Sequence, residues 1–157
     1  MSNQNYKAYL FSHTALKPIC SGVQNAHTIA EMFAKYSTPS TEHDTLIKWA
    51  KSHKTIVMRD GGNTRNLNLI KSIVSDICPL ANIPFSCFYE SDDYMGGILT
   101  SVGFVMDRSK GSSSPLFHRT TIEELSVNLA LKLNRRDLDE REVHDTLVSL
   151  IDCTRAA

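Results

Sequence analysis

Gln24 and His27 stand three positions apart in the run Val23-Gln24-Asn25-Ala26-His27. On a helix that spacing puts both side chains on one face. A glutamine and a histidine on a mainly apolar helix need hydrogen-bond partners when buried. His27 reads either as a packed structural histidine or as an acid, base or substrate-orienting group. A second cluster is Glu90, Asp92 and Asp93, and no Lys or Arg occurs between Ala81 and Met106 to neutralise it. A carboxylate there suits orienting or deprotonating a water, and an acidic surface turn is the competing account. The third is Asp60-Gly61-Gly62-Asn63-Thr64, flanked by Arg59 and Arg65. Two glycines let the backbone approach a ligand, and a helix start behind them favours an anion. The turn lacks the P-loop lysine and the dinucleotide spacing, so a simple capped turn competes with a phosphate cradle.

These clusters need a scaffold. Tyr6-Lys7-Ala8-Tyr9-Leu10-Phe11-Ser12 reads as a first strand. After Pro18, Ser21 is a candidate N-cap, and Val23, Ala26, Ala30 and Phe33 recur at helical spacing as far as Lys35-Tyr36. Thr41-Glu42-His43-Asp44 opens a short helix with Leu46, Ile47, Trp49 and Ala50. Lys54–Arg59 is the second strand. Thr64 caps a helix bearing Leu67, Ile70, Val74 and Ile77, which Pro79 stops. Phe85–Tyr89 and Ile98–Met106 are the third and fourth strands. Strands alternating with helices predict parallel pairing through right-handed crossovers, and the short final connection predicts an antiparallel pair. Asp107–His118 reads as a connection. Two helices follow over about 119–153, the first opened by a capping box at Thr121-Ile122-Glu123-Glu124. The mixed charges of Arg135–Glu142 read as a solvated turn and helix start.

A chain of 157 residues, 41% hydrophobic and 22% charged, suits one globular domain over 1–157. Seventeen Lys and Arg balance seventeen Asp and Glu, so there is no general basic excess of the kind that marks phosphate-backbone binding. The start carries no apolar segment of signal-peptide length, and no run approaches a membrane span, which predicts a cytoplasmic protein. Cys20, Cys78, Cys87 and Cys153 lack CxxC spacing. They read as reduced, packed thiols, with no metal expected.

Gln24-Asn25-Ala26-His27-Thr28-Ile29-Ala30-Glu31, then Trp49 with Lys54-Thr55-Ile56-Val57, then Phe88-Tyr89-Glu90 with Leu99-Thr100-Ser101-Val102-Gly103, resembles in order and spacing the peptidyl-tRNA hydrolase type 2 (Pth2-like) superfamily, in its shorter phage-type branch. The resemblance covers residues 6–106. It implies an α/β fold in three layers, with a four-stranded mixed β-sheet flanked by helices and a C-terminal helical extension. It also implies hydrolysis of the ester between a peptide and the terminal ribose of tRNA. On that reading Glu90 or Asp92 activates water, Gln24 and Thr100 orient, and His27 supports. Lys17, Arg59 and Arg65, with the Gly61-Gly62-Asn63 turn, hold phosphate, and no cofactor is needed. Family members carry a lysine four residues before the glutamine; here that position is Cys20, and Lys17 would substitute from the preceding turn. A thiol at a helix start is also a conceivable nucleophile. The departure at Cys20 and the zero net charge favour an alternative: a non-catalytic binding protein on the same scaffold that sequesters a small nucleotide or a protein partner, in the manner of a phage counter-defence factor. Relatives of this fold often pair, so the C-terminal helices are a candidate homodimer surface.

Overall fold

The computed structural model describes residues 3–91, 97–112 and 120–157. Strand β1 (Tyr6–Ser12) lies at the centre of a five-stranded mixed sheet of order β3-β4-β1-β2-β5. Being covered on both faces, β1 is a near-continuous apolar run rather than an alternating one. Ala8 and Leu10 face one layer, with Met32, Leu46, Trp49 and Val105. Tyr9 and Phe11 face the other, with Leu67, Ile70, Phe104, Leu147 and Leu150.

Helices α1 (Pro18–Lys35) and α2 (Thr41–Lys48) build the first layer and carry the crossover from β1 to β2 (Thr55–Asp60), which pairs parallel to β1. A π-helical turn at Trp49–His53 extends α2, and Lys54 leaves it in the left-handed region. Helix α3 (Thr64–Ile77) builds the second layer and ends in a 3₁₀ turn at Cys78–Ala81, held there by Pro79. Strands β3 (Phe85–Tyr89) and β4 (Leu99–Asp107) pair antiparallel, and β4 runs antiparallel to β1. Helices α4 (Ile122–Leu133) and α5 (Glu140–Asp152) pack with α3 on the second face. The α/β class, the parallel crossover and the final antiparallel pair agree with the sequence.

The strand count does not. A fifth strand, β5 (Arg155–Ala156), pairs antiparallel with the end of β2. It is two residues long and carries no alternation to read. What holds it is Arg59, whose guanidinium donates to the Thr154 hydroxyl and to the carbonyls of Ile151 and Thr154. These acceptors lie at the end of α5, where carbonyls run out of intrahelical partners.

Several caps also differ. Pro18 is the first residue of α1, a position where its missing N–H costs nothing, so Ser21 lies one turn inside the helix instead of capping it. Ser40 rather than Thr41 caps α2, and Asn63 rather than Thr64 caps α3. Thr121 does cap α4. The reciprocal capping box belongs to Asp139 and Glu142. Arg136 pairs with Glu142 at 2.7 Å, and with the Asp139 amide it holds the pKa of that carboxyl down at about 2. At the outer strand β3, the Lys35 ammonium sits 3.5 Å over the Phe85 ring and donates to the Phe85 carbonyl.

All four cysteines are free thiols. Burial pushes the thiols of Cys78 and Cys87 up, and that of Cys153 to about 11, so these three act as packed neutral groups. Among the described residues no helix is long and apolar enough to cross a membrane.

At Gly103 α1 packs close on the sheet: a Cβ there would overlap Leu10 Cδ2 of β1 and meet Thr28 Cγ2 of α1 at 3.2 Å. Gly103→Ala is expected to cost about 2 kcal/mol by overpacking. A urea titration that finds the variant as stable as the parent would refute this packing.

Candidate functional site

The face that α1 turns inward is polar. Ser21, Gln24, Asn25, Thr28 and Met32 are its buried residues, whereas Ile19 is 79% and Val23 50% exposed. Phasing the helix by its apolar residues therefore points Val23, Ala26 and Ala30 the wrong way, and all three are exposed. A polar stripe can be buried only where the opposing surface supplies partners. Here β4 supplies them.

The β3–β4 ladder shifts register at Phe88/Tyr89: Phe88 lies opposite Ser101 and Tyr89 opposite Leu99, leaving Thr100 as the extra residue. A bulge of this kind breaks the alternation of side chains. Consecutive residues Thr100 and Ser101 both reach consecutive residues of α1. The Ser101 hydroxyl donates to Asn25 Oδ1 at 2.7 Å. The Thr100 hydroxyl lies 3.0 Å from Gln24 Oε1 and 3.2 Å from the Phe88 carbonyl, so its one proton serves two acceptors.

Gln24 Nε2 then donates to Glu90 Oε2 at 2.6 Å, while Glu90 Oε1 accepts from the Ser91 amide at 3.0 Å. A carboxylate only accepts, which fixes the orientation of the glutamine amide. Gln24, Glu90 and Thr100, which lie far apart in sequence, thus form one connected chain of groups at the end of the sheet. Glu90 has a partner after all: it comes from α1 and not from its own neighbourhood. Asp92 lies outside the described residues.

His27 is not bonded into this chain. It is exposed, and its ring stacks on Phe88 at 4.4 Å between centroids and 11° between planes. It therefore braces the residue whose carbonyl faces Thr100. Cys20 is half-buried one turn before Gln24, and Lys17 is exposed at the N-cap with no capping bond from its side chain.

The expected phosphate grip is arranged differently. Arg59 is committed to the end of α5 by the bonds described above, because its side chain leaves β2 toward that helix. Arg65 reaches Glu123 at 3.3 Å. The Gly61 amide donates to Ser12 O, and a Cβ on Gly61 would meet that oxygen at 2.9 Å and Leu67 Cδ1 at 2.6 Å. The Gly62 amide donates to Asp60 Oδ1 at 2.9 Å with φ at 77°, and Asn63 Oδ1 caps Asn66 N. Both glycines are needed for the turn itself, and neither amide is left to cradle an anion. The turn and its two arginines do not converge on Gln24 and Glu90.

A further group lies at the carboxyl ends of β1 and β2, of which the sequence marks only Asp60, in the glycine turn, and Ser21, as a candidate cap. Ser12, His13, Thr14, Ser21, Met58 and Asp60 line a crevice of about 390 Å³ there. The Ala15 amide donates to His13 Nδ1, so His13 Nε2 carries the hydrogen donated to Thr64 Oγ1 at 2.9 Å. The other signal is positional, since Ser12-His13-Thr14 and Asp60 directly end two adjacent parallel strands. Among the described residues no cluster of three metal-ligating side chains converges.

No family model matches the chain, and no curated protein matches it either.

Two buried polar atoms beneath α1, Asn25 Nδ2 and Thr28 Oγ1, have no partner among the described residues. Thr28 is fully buried, so replacing its hydroxyl by a methyl removes an unpaired group without changing shape. Thr28→Val is expected to raise stability by about 1 kcal/mol. The check is the denaturation midpoint, and a fall in that midpoint would mean the hydroxyl has a partner in solution.

Proposed function

We propose that this chain is a peptidyl-tRNA hydrolase-like enzyme, cleaving the ester between a peptide and the terminal ribose of tRNA on a type 2 scaffold. The observation that carries the reading is the chain Thr100–Gln24–Glu90, closed by the 3.0 Å and 2.6 Å contacts to Gln24. The family resemblance gives these same three residues the parts of hydroxyl, amide and carboxylate in one site. Glu90 takes a proton from water as its oxygen attacks the ester carbonyl carbon. Gln24 and Thr100 hold the carboxylate and the attacked group in place. The ester C–O bond then breaks, and the ribose oxygen leaves with the proton returned by Glu90.

Glu90→Gln is expected to lower kcat/KM on diacetyl-lysyl-tRNA by about 100-fold or more with the fold intact, since it removes the base and keeps the shape. Cys20→Lys, which restores the cation that the resembled family carries, is expected to raise kcat/KM. Absence of hydrolysis by both the wild type and Cys20→Lys at high enzyme concentration would sink the reading.

A second reading has its own observation. Both oxygens of Glu90 already accept hydrogen bonds from the protein, and the Arg59 and Gly61-Gly62 groups serve the fold. A non-catalytic scaffold that holds a small nucleotide or a partner would have this character. It predicts a ligand released chemically unchanged on denaturation.

A further inference from the structure

The connection after β1 enters α1 on one face of the sheet, and the connection after β2 enters α3 on the other. Adjacent parallel strands whose connections diverge in this way leave a crevice outside their carboxyl ends, where α/β proteins bind small ligands. Helix α1 leans over β4 and β3, so the face of β2 near Met58 and Asp60 stays open. The resulting cavity of about 390 Å³ falls within the roughly 300–1,000 Å³ of small-molecule sites.

Its lining has unspent hydrogen-bonding capacity. Ser12 and Ser21 are 3% and 7% exposed and line the crevice. Among the described residues neither hydroxyl makes a hydrogen bond within the protein, and neither is sealed from solvent, so both are open to a ligand in the crevice. Asp60 Oδ1 accepts from Gly62, but Oδ2 has only a long 3.3 Å contact from the Thr14 hydroxyl. Among the described residues no Lys or Arg pairs with Asp60 within 4 Å. A carboxylate without a paired cation disfavours an anionic ligand, and the positive end of α1 beside it weakens its pull on a cationic one. Hydroxyl groups satisfy both, donating to the carboxylate and accepting from the helix end and the serines. Leu16, Pro18 and Met58 add apolar wall.

We infer that this crevice binds the 2′,3′-cis-diol of a ribose, with Asp60 Oδ2 accepting from the diol and Ser12 and Ser21 bonding its oxygens. The residues are distinct from Gln24, Glu90 and Thr100, so the site stands whether or not those residues hydrolyse an ester. The diol belongs either to a free nucleoside or to the 3′ end of an RNA, and one set of titrations separates the two.

Isothermal titration calorimetry would compare adenosine, 2′,3′-dideoxyadenosine, a tetranucleotide RNA ending in a free cis-diol, and the same RNA ending in a 2′,3′-cyclic phosphate. Saturable binding of adenosine identifies a nucleoside site. Binding of the diol-ended RNA alone identifies an RNA terminus. In either case loss of the diol is expected to weaken binding roughly tenfold or more, as expected for lost hydrogen bonds to a charged group. Asp60→Asn keeps Oδ1 for Gly62 and is expected to weaken binding by a similar factor. Ser21→Ala, within a helix that retains all its backbone bonds, is expected to weaken binding by a smaller factor and serves if Asp60→Asn melts early. Equal affinity for adenosine and its dideoxy form, no effect of the substitutions in folded protein, or no binding of adenosine or diol-ended RNA at millimolar concentration would overturn the inference.

Discussion

The inward face of α1 is the constraint from which the rest of the molecule follows. Burying Gln24 and Asn25 would cost several kcal/mol if their amides were left dry and unpaired. Three adjustments meet most of that cost. The β4 strand bulges so that Thr100 and Ser101 both turn toward the helix. Gly103 gives up its side chain so that the helix can come close enough for the bonds to form. The end of β3 carries Glu90 into reach of Gln24. The compensation is not complete, because among the described residues Asn25 Nδ2 and Thr28 Oγ1 remain unpaired. Structures that retain such groups commonly do so next to functional sites.

The extent to which this can be read in the chain differs by element. Strands β1 to β4 and helices α1 to α3 are legible because buried central strands are written as apolar runs and helices as periodic ones. The phase of α1 is not legible. Hydrophobicity alone puts Val23, Ala26 and Ala30 inside, and the groups that rotate the helix the other way, Thr100 and Ser101, lie 76 residues from their partners. Glu90 looks unpartnered for the same reason, since Gln24 is 66 residues away. Among the site residues Gln24, Glu90 and Thr100 come together, whereas Arg59 and the glycine turn have the chemistry of an anion site and serve the fold. Arginine is the residue best suited to collect several carbonyls at a helix end, and its local sequence does not distinguish that task from holding a phosphate.

The two layers also divide the work. The second face, with α3, α4 and α5 over Phe11, Phe104 and their neighbours, is apolar and carries most of the large buried side chains. The first face holds a smaller apolar cluster around Leu10, Met32 and Trp49. Toward the carboxyl ends of β1 and β2 that cluster gives way to hydroxyls and amides. A domain anchored on one side can tolerate unpaired polar groups on the other, because its stability is drawn from elsewhere.

Strand β3 forms the outer margin of the sheet, and an unpaired row of amides and carbonyls is an invitation to another strand. Lys35 sits over that margin, with its ammonium on the Phe85 ring and carbonyl. An incoming strand would have to displace a cation from the contact that satisfies it and strip away its water. Growth of the sheet on this side is therefore opposed by a charge at the margin. The same strand carries Phe88 and leads into Glu90, so a strand added along β3 would run beside the elements that form the candidate site.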